Sequence, residues 1–403
     1  MSSENIALKS TVGSPAVGND RFFGREKELK SLIEKVIEGG NFYISAPRRI
    51  GKTSLMGQAM KDLENDGNMC FSYDLEGKES PSEWIYELAI NMYQNASYKK
   101  SIEAFIKNIT NLGNISTLEA IKSIVNSEQW KSQGRNFFKA FYDSCPEGKK
   151  IVIFIDELAV MIQTMQETLP EELRHIKAHE EVSGFLGWFR SIRQSFNTRI
   201  SFVIASSTGL YPLINRLGLN KDINDIDEFL LEAWEPDTAI ECILALARGK
   251  NIVISPETAE HMTKIIGWCS PYFVQAFFDS AYENLFNSER ISYSDKELSD
   301  VYLKYLIRGN KISPTLRNMI NRLEKSLPKQ KFDLAKQVLN KLAQNDGIAA
   351  KSEIKNIKEQ TDRDSFNDVL RTLKQDGYIE EKEEEYCFLS KLFRDWWRNE
   401  YGD

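Results

Sequence analysis

Histidine is scarce in this chain, with three among 403 residues. Two of them, His175 and His179, sit four apart in "RHIKAHEE". On a helix they would share a face. No His-Glu-x-x-His pattern and no cysteine partner accompanies them, so they are not read as a metal site, and no Ser/His/Asp triad is legible. Cysteine is also sparse. Cys70, Cys145, Cys242, Cys269 and Cys387 are dispersed and form no Cys-x-x-Cys pair, which argues against a disulfide framework and for reduced thiols in a cytoplasmic protein. Long apolar runs are lacking: clean ones such as "IVIFI" at 151–155 are far too short to cross a bilayer, so no membrane partner is expected. Positive charge is not in excess either. With 52 Lys+Arg against 59 Asp+Glu the net charge is -7, and no global attraction to nucleic acid or anionic lipid follows. Residues 1–20 carry neither the apolar core of a signal peptide nor the arginine bias of a transit peptide. They read as a flexible tail.

What is present is length enough for two or three cores. A first block, residues 21–235, holds four strand candidates: "FYIS" (42–45), "CFSYDL" (70–75), "IVIFI" (151–155) and "ISFVIASS" (200–207). Unbroken β-branched and aromatic runs suit strands buried on both faces. Helical patterns between them predict a parallel sheet with crossover helices, an α/β class. Residues 80–148 read as a helical insertion. From 236 to 328 the pattern is helical only, a small all-α domain. The last block, 329–403, reads helix, helix, helix, hairpin, the order of a winged helix, and closes on an amphipathic helix, "KLFRDWWRNEY". Adjacent Trp396 and Trp397 point about 100° apart on such a helix, which suits packing.

Chemistry concentrates in "YISAPRRIGKTSLMGQAM". Ala46, Pro47, Arg48, Arg49, Ile50, Gly51, Lys52, Thr53 and Ser54 keep the spacing of a phosphate loop, in which backbone N–H groups and a helix N-terminus converge on an anion. Lys52 would reach the outer phosphates and the Thr53 hydroxyl would ligate Mg²⁺. Ala46 stands where the usual pattern has its first glycine. The second signal is "IVIFIDEL": a buried strand ending in Asp156 and Glu157 is the expected mate of such a loop, Asp156 for the metal and Glu157 to polarise an attacking water. A third strand ends in Ser206, Ser207 and Thr208. In a sheet with the acidic strand beside the loop strand, one of these could touch a γ-phosphate or the lytic water.

Five stretches together, "FFGREKELKSLIEKV", "APRRIGKTSL", "FSYDLEG", "VIFIDEL" and "FVIASSTGL", resemble the archaeal-type ATPases. These are P-loop signal-transduction ATPases (STAND) of the AAA+ class, and the likeness covers most of the chain. The resemblance implies ATP as ligand, a helical lid and a C-terminal winged helix. It places Gly24 and Arg25 over the adenine and ribose, and Pro271, in "GWCSPYF", near the base. It also implies oligomers in which an arginine reaches the neighbouring protomer. Arg190, Arg193 and Arg199 are the candidates, with Arg216 a further one, and a solvated basic helix face is the alternative for each.

DNA binding draws much of its affinity from cations meeting phosphates. The candidate recognition helix, "DRDSFNDVLRTLK", carries three basic residues against three acidic ones, and the wing, "EEKEEE", one lysine against five glutamates. A protein-contact or autoinhibitory role is therefore favoured over DNA. The expectation is an ATP-binding and ATP-hydrolysing switch, with Mg²⁺ as cofactor, that controls homo-oligomerisation or recruits a separate protein. A DNA-associated loader or transposition-type regulator is the alternative.

Overall fold

A computed structural model describes residues 6–94, 103, 130–167, 171–206, 209–287, 289–358 and 363–402. The chain divides into two compact units. One comprises Lys27–Ser45 and Ala59–Leu230; the other comprises Met1–Glu26, Ala46–Gln58 and Leu231–Asp403.

The first of these is built on a parallel sheet of five strands: β1 (Phe42–Ser45), β2 (Met69–Asp74), β3 (Ile151–Asp156), β4 (Ile200–Ala205) and β5 (Asp227–Leu230), in the order β2-β3-β4-β1-β5. β3 up to Asp156 and all of β4 are buried, and both are apolar apart from Asp156 and Ser201, because they lie inside the sheet with both faces covered. The polar-ended strand β4, not the acid-ended β3, lies beside β1. β5 escaped the sequence reading. Three of its four residues are not buried, and its "DEFL" lacks the apolar run that marks an internal strand. Helices Pro81–Gln94, Trp130–Ser144 and Glu171–Phe196 carry an aromatic core. Trp84 is fully buried, with Phe138, Phe185, Trp188 and Phe189 at centroid distances of 5.5–6.4 Å. Gly134 permits that packing: a Cβ there would lie 2.8 Å from the Trp188 ring and 2.9 Å from Ile85. The central part of the expected insertion, other than residue 103, lies outside the described residues.

In the other unit, the segments expected as lid and winged helix share one apolar core. Helices Pro236–Gly249, Pro256–Ile266, Pro271–Asn284 and Asp295–Val301 come first, the last running on into a π turn, Tyr302–Ile307. Helices Ser313–Ser326 and Lys329–Gln344 follow. Then come β6 (Ile348–Ala350), helices Lys351–Lys358 and Arg363–Gln375, and the hairpin β7 (Ile379–Glu381) and β8 (Glu385–Phe388), forming an antiparallel sheet ordered β6-β8-β7. The closing helix, Lys391–Tyr401, buries both Trp396 and Trp397. Polar bonds tie it to the earlier segments: the Tyr302 hydroxyl donates to Asp395 (2.9 Å), Trp396 Nε1 to Ser313 Oγ (3.3 Å) and Lys391 Nζ to the Ile265 carbonyl (2.6 Å).

Residues 6–20 do not hang free, contrary to the flexible tail expected. Leu8 is 3% exposed, and its amide donates to the Ala245 carbonyl (3.0 Å). Ser10 Oγ bonds Asp279 (2.7 Å) and the Thr11 amide bonds Gln275 (2.9 Å). The amides of Ala16 and Gly18 reach Ser54 Oγ (2.9 Å) and Gln58 Oε1 (2.8 Å) on the helix Lys52–Asn65. A segment that forms neither helix nor strand is thus held as a strap, largely by its own backbone donors.

Candidate nucleotide site

The phosphate loop spans residues 46–51, and a helix starts at Lys52. Gly51 has φ +100°, a conformation that suits glycine. Ala46 is not among the described residues with positive φ, so its methyl is tolerated where the common pattern has glycine. Arg49 is the loop's exception, an L residue at φ +66°. Lys52 Nζ folds back on the carbonyls of Ala46 (2.8 Å) and Pro47 (3.1 Å). The first helical bond runs from the Leu55 amide to the Gly51 carbonyl (2.9 Å). The amides preceding it lack intrahelical acceptors and carry the positive end of the helix dipole. This donor set, with a lysine curled over the mouth and Thr53 exposed beside it, fits a polyphosphate and its metal.

Around the loop stand the other residues expected near the nucleotide. Gly24 has φ +66°, accepts a bond from Trp234 Nε1 (3.1 Å), and has no room for a side chain: a Cβ would lie 2.6 Å from Thr238. Arg25 is 7% exposed and donates to the Glu232 carbonyl and, at 3.5 Å, to that of Ile50. Its guanidinium therefore braces the loop through the backbone. Ser54 is engaged by the strap. Pro271 is buried at the start of its helix. Its neighbours make the loop contacts: Ser270 Oγ donates to the Arg49 carbonyl (2.7 Å), and the Arg49 guanidinium lies 4.7 Å from the Tyr272 ring centroid. Gly377 approaches Pro47 so closely that a Cβ there would sit 2.5 Å from Pro47 Cβ. Arg48 is close enough to the Tyr378 phenol to oppose the rise in its pKa that burial causes. Sequence reasoning missed Ser270, Tyr272 and Gly377. For the first two a signal existed in "GWCSPYF", but the proline drew the assignment.

At the carboxyl end of the parallel sheet, the Asp156 carboxylate accepts the Glu157 amide (3.0 Å). Glu157 is held at φ +60°, a strained state for a non-glycine residue and one that concentrates at functional sites. Ser206 is 2% exposed, and its hydroxyl donates to Glu157 Oε2 (3.1 Å). Ser207 and Thr208 lie outside the described residues. Asp74, not singled out from sequence, ends β2 in register with Asp156. The sheet thus gathers Asp156, Glu157 and Ser206 at its carboxyl end.

The arginine candidates separate. Arg193 is 1% exposed and gives Asp225 two bonds, 2.9 and 2.7 Å, with a third to the Asp222 carbonyl (2.7 Å). It is a buried structural cation and not a group that can reach into a neighbour. Arg199 donates to the carbonyls of Cys145 (3.0 Å) and Tyr142 (3.3 Å), and Arg190 to that of Lys221. Arg216 is exposed. His179 Nε2 contacts the Leu217 carbonyl (3.1 Å). Of the His175 side chain nothing is described.

Residues 22–216 match the family described as an ATPase domain predominantly from Archaea. The chain carries an archaeal-type P-loop ATPase domain. No curated protein matches it in sequence. Among solved structures it is similar to the Walker-type ATPase PABY2304 of Pyrococcus abyssi, at 15% identity and TM-score 0.65, over 96% of this chain and 99% of that one. It is also similar to the ORC2 protein of Aeropyrum pernix, solved in ADPNP-ADP complexes, at 12% identity and TM-score 0.52, over 99% and 98%. At these identities the likeness establishes the α/β P-loop fold, and the ATPase activity follows from the family. Among the described residues no helix is long and apolar enough to cross a membrane.

Proposed function

We propose that this ATPase is a STAND-like switch, in which ATP binding and hydrolysis control self-association or recruitment of a protein partner. Lys52 and the loop amides take the phosphates, and Gly24, Arg25 and the Pro271 turn border the base and ribose. Thr53 in the loop unit and Asp156 in the sheet unit are each candidate Mg²⁺ ligands, and the ion, when bound, would neutralise phosphate charge. Glu157 polarises the water, and Ser206 fixes its carboxylate by a hydrogen bond. The observation that carries this reading is Glu157 itself, a left-handed acid whose carboxylate is held by the buried hydroxyl of Ser206.

We read the block from 329 onward as a winged helix suited to protein contact. Lys374 and Lys351 both pair with Glu381 (2.5 and 2.7 Å), and Lys382 pairs with Glu380 (2.9 Å). Three cations of this block are thereby engaged with carboxylates, which together with the acidic wing favours protein contact over the loader reading. The test combines phosphate release with solution mass. Wild type should hydrolyse ATP and change mass or shape on binding it. Glu157→Gln should bind but turn over at least a hundredfold more slowly, on the order of general-base losses, and Lys52→Ala should do neither. An ATP-dependent, salt-sensitive shift of duplex DNA would replace the switch with the loader. An unchanged mass and shape on ATP binding would remove the switch.

A further inference from the structure

We infer that Ser270, Tyr272 and Thr315 form a clamp that positions the phosphate loop for ATP through a single residue, Arg49; this rests on the proposed phosphate site. Arg49 is the loop's only described non-glycine residue with positive φ, and both of its ends are held. Its carbonyl accepts the hydroxyl of Ser270, a fully buried residue whose side chain makes no cap bond to its own helix. Its guanidinium lies over the Tyr272 ring and donates to Thr315 Oγ1 (3.4 Å), and Thr315 is bonded to the Tyr272 hydroxyl (3.0 Å).

The consequence for the loop is directional. No peptide bond among the described residues is cis, so the 49–50 peptide points its N–H opposite to its carbonyl. Drawing the Arg49 carbonyl toward Ser270 turns the Ile50 N–H the other way and carries Gly51 with it. Phosphate loops bind through such amides, and preorganised donors bind an anion more tightly than donors that must first be ordered. A left-handed arginine does not hold this geometry unaided. Ser270, Tyr272 and Thr315 are therefore positioning residues: they act on ATP through the loop backbone.

The experiment compares wild type, Ser270→Ala, Tyr272→Leu, Tyr272→Phe and Lys52→Ala for binding of Mg-ATP and for kcat and KM. Losing one buried hydrogen bond or one cation–π contact from a preorganised loop should weaken ATP binding about five- to tenfold. That loss is expected in Ser270→Ala and Tyr272→Leu, with kcat at saturating ATP within about twofold of wild type, because Glu157 is untouched. Tyr272→Phe keeps the ring under Arg49 and should bind within about twofold of wild type. This rescue separates positioning from general destabilisation, and the Tyr272 pair decides the matter even if Ser270→Ala does not fold. Wild-type affinity in Tyr272→Leu, or equal losses in Tyr272→Leu and Tyr272→Phe, overturns the clamp while Lys52-dependent binding leaves the site reading intact. Lys52→Ala binding ATP as wild type does would instead overturn the site itself.

Discussion

Replacing Arg193 distinguishes a structural cation from a catalytic one. In Arg193→Ala the Asp225 carboxylate loses both of its guanidinium bonds and the Asp222 carbonyl loses its donor. Breaking a buried ion pair from one side costs about 3–5 kcal/mol. Asp225 retains 23% side-chain exposure and can partly rehydrate, which favours the lower end, about 3 kcal/mol. The guanidinium also lies 4.4 Å from the Phe189 ring centroid, and that contact adds about 1 kcal/mol. For a unit of this size, about 4 kcal/mol corresponds to a fall in Tm of roughly 8–16 °C. Arg193→Lys keeps charge but not the fork, and should lose about half as much. Thermal unfolding followed by circular dichroism measures this, alongside ATP turnover at a temperature where both variants remain folded. An arginine finger would behave in the opposite way, with unchanged melting and a turnover loss on the order of 10³ or more. That result would refute the structural assignment.

Two further outcomes follow from other parts of the fold. Gly249→Ala should gain helix propensity of about 1 kcal/mol yet destabilise the protein, because the new Cβ would meet the Leu8 carbonyl at 1.9 Å. Releasing Leu8 forfeits about 2 kcal/mol of burial and should make residues 6–20 sensitive to limited proteolysis; an unchanged cleavage rate would show that the strap accommodates the methyl. The Glu297 carboxylate, bonded first by Arg290 and then by the Ser294 amide and hydroxyl, is held down to about 2 from an ordinary 4.5. Its folded-state pKa is depressed, so its contribution is present above pH 4.5 and fades as pH falls from 4.5 toward 2. Glu297→Gln should flatten acid unfolding in that window, and an identical acid profile would dismiss the pair as inert.

The sheet was legible where burial is two-sided. β1 coincides with "FYIS", and the other three expected strands shift by a residue or two at their ends. β5 and β6 were not legible, since an acidic edge strand and a three-residue strand lack a run of apolar positions. The chemistry-bearing residues of the loop and the acid strand stood out because their spacing follows from local backbone geometry. What could not be read was tertiary. Arg193 looks from sequence like any basic helix residue, and only the return of the chain at 222–225 gives it partners. Ser270 and Tyr272 touch a loop more than two hundred positions earlier in the chain. Residues 6–20 look like a tail because backbone donors leave no trace in composition.

The unit containing the phosphate loop is stitched from three separate stretches, ending in Leu231–Asp403. During synthesis the loop emerges early, but Ser270, Thr315 and Gly377 follow far later; at about 5–20 residues per second the last arrives on the order of tens of seconds afterwards. A nascent chain therefore exposes a phosphate loop that still lacks its contacts with Ser270, Thr315 and Gly377. The loop's full grip on nucleotide is acquired only after these late segments have emerged and folded back onto it.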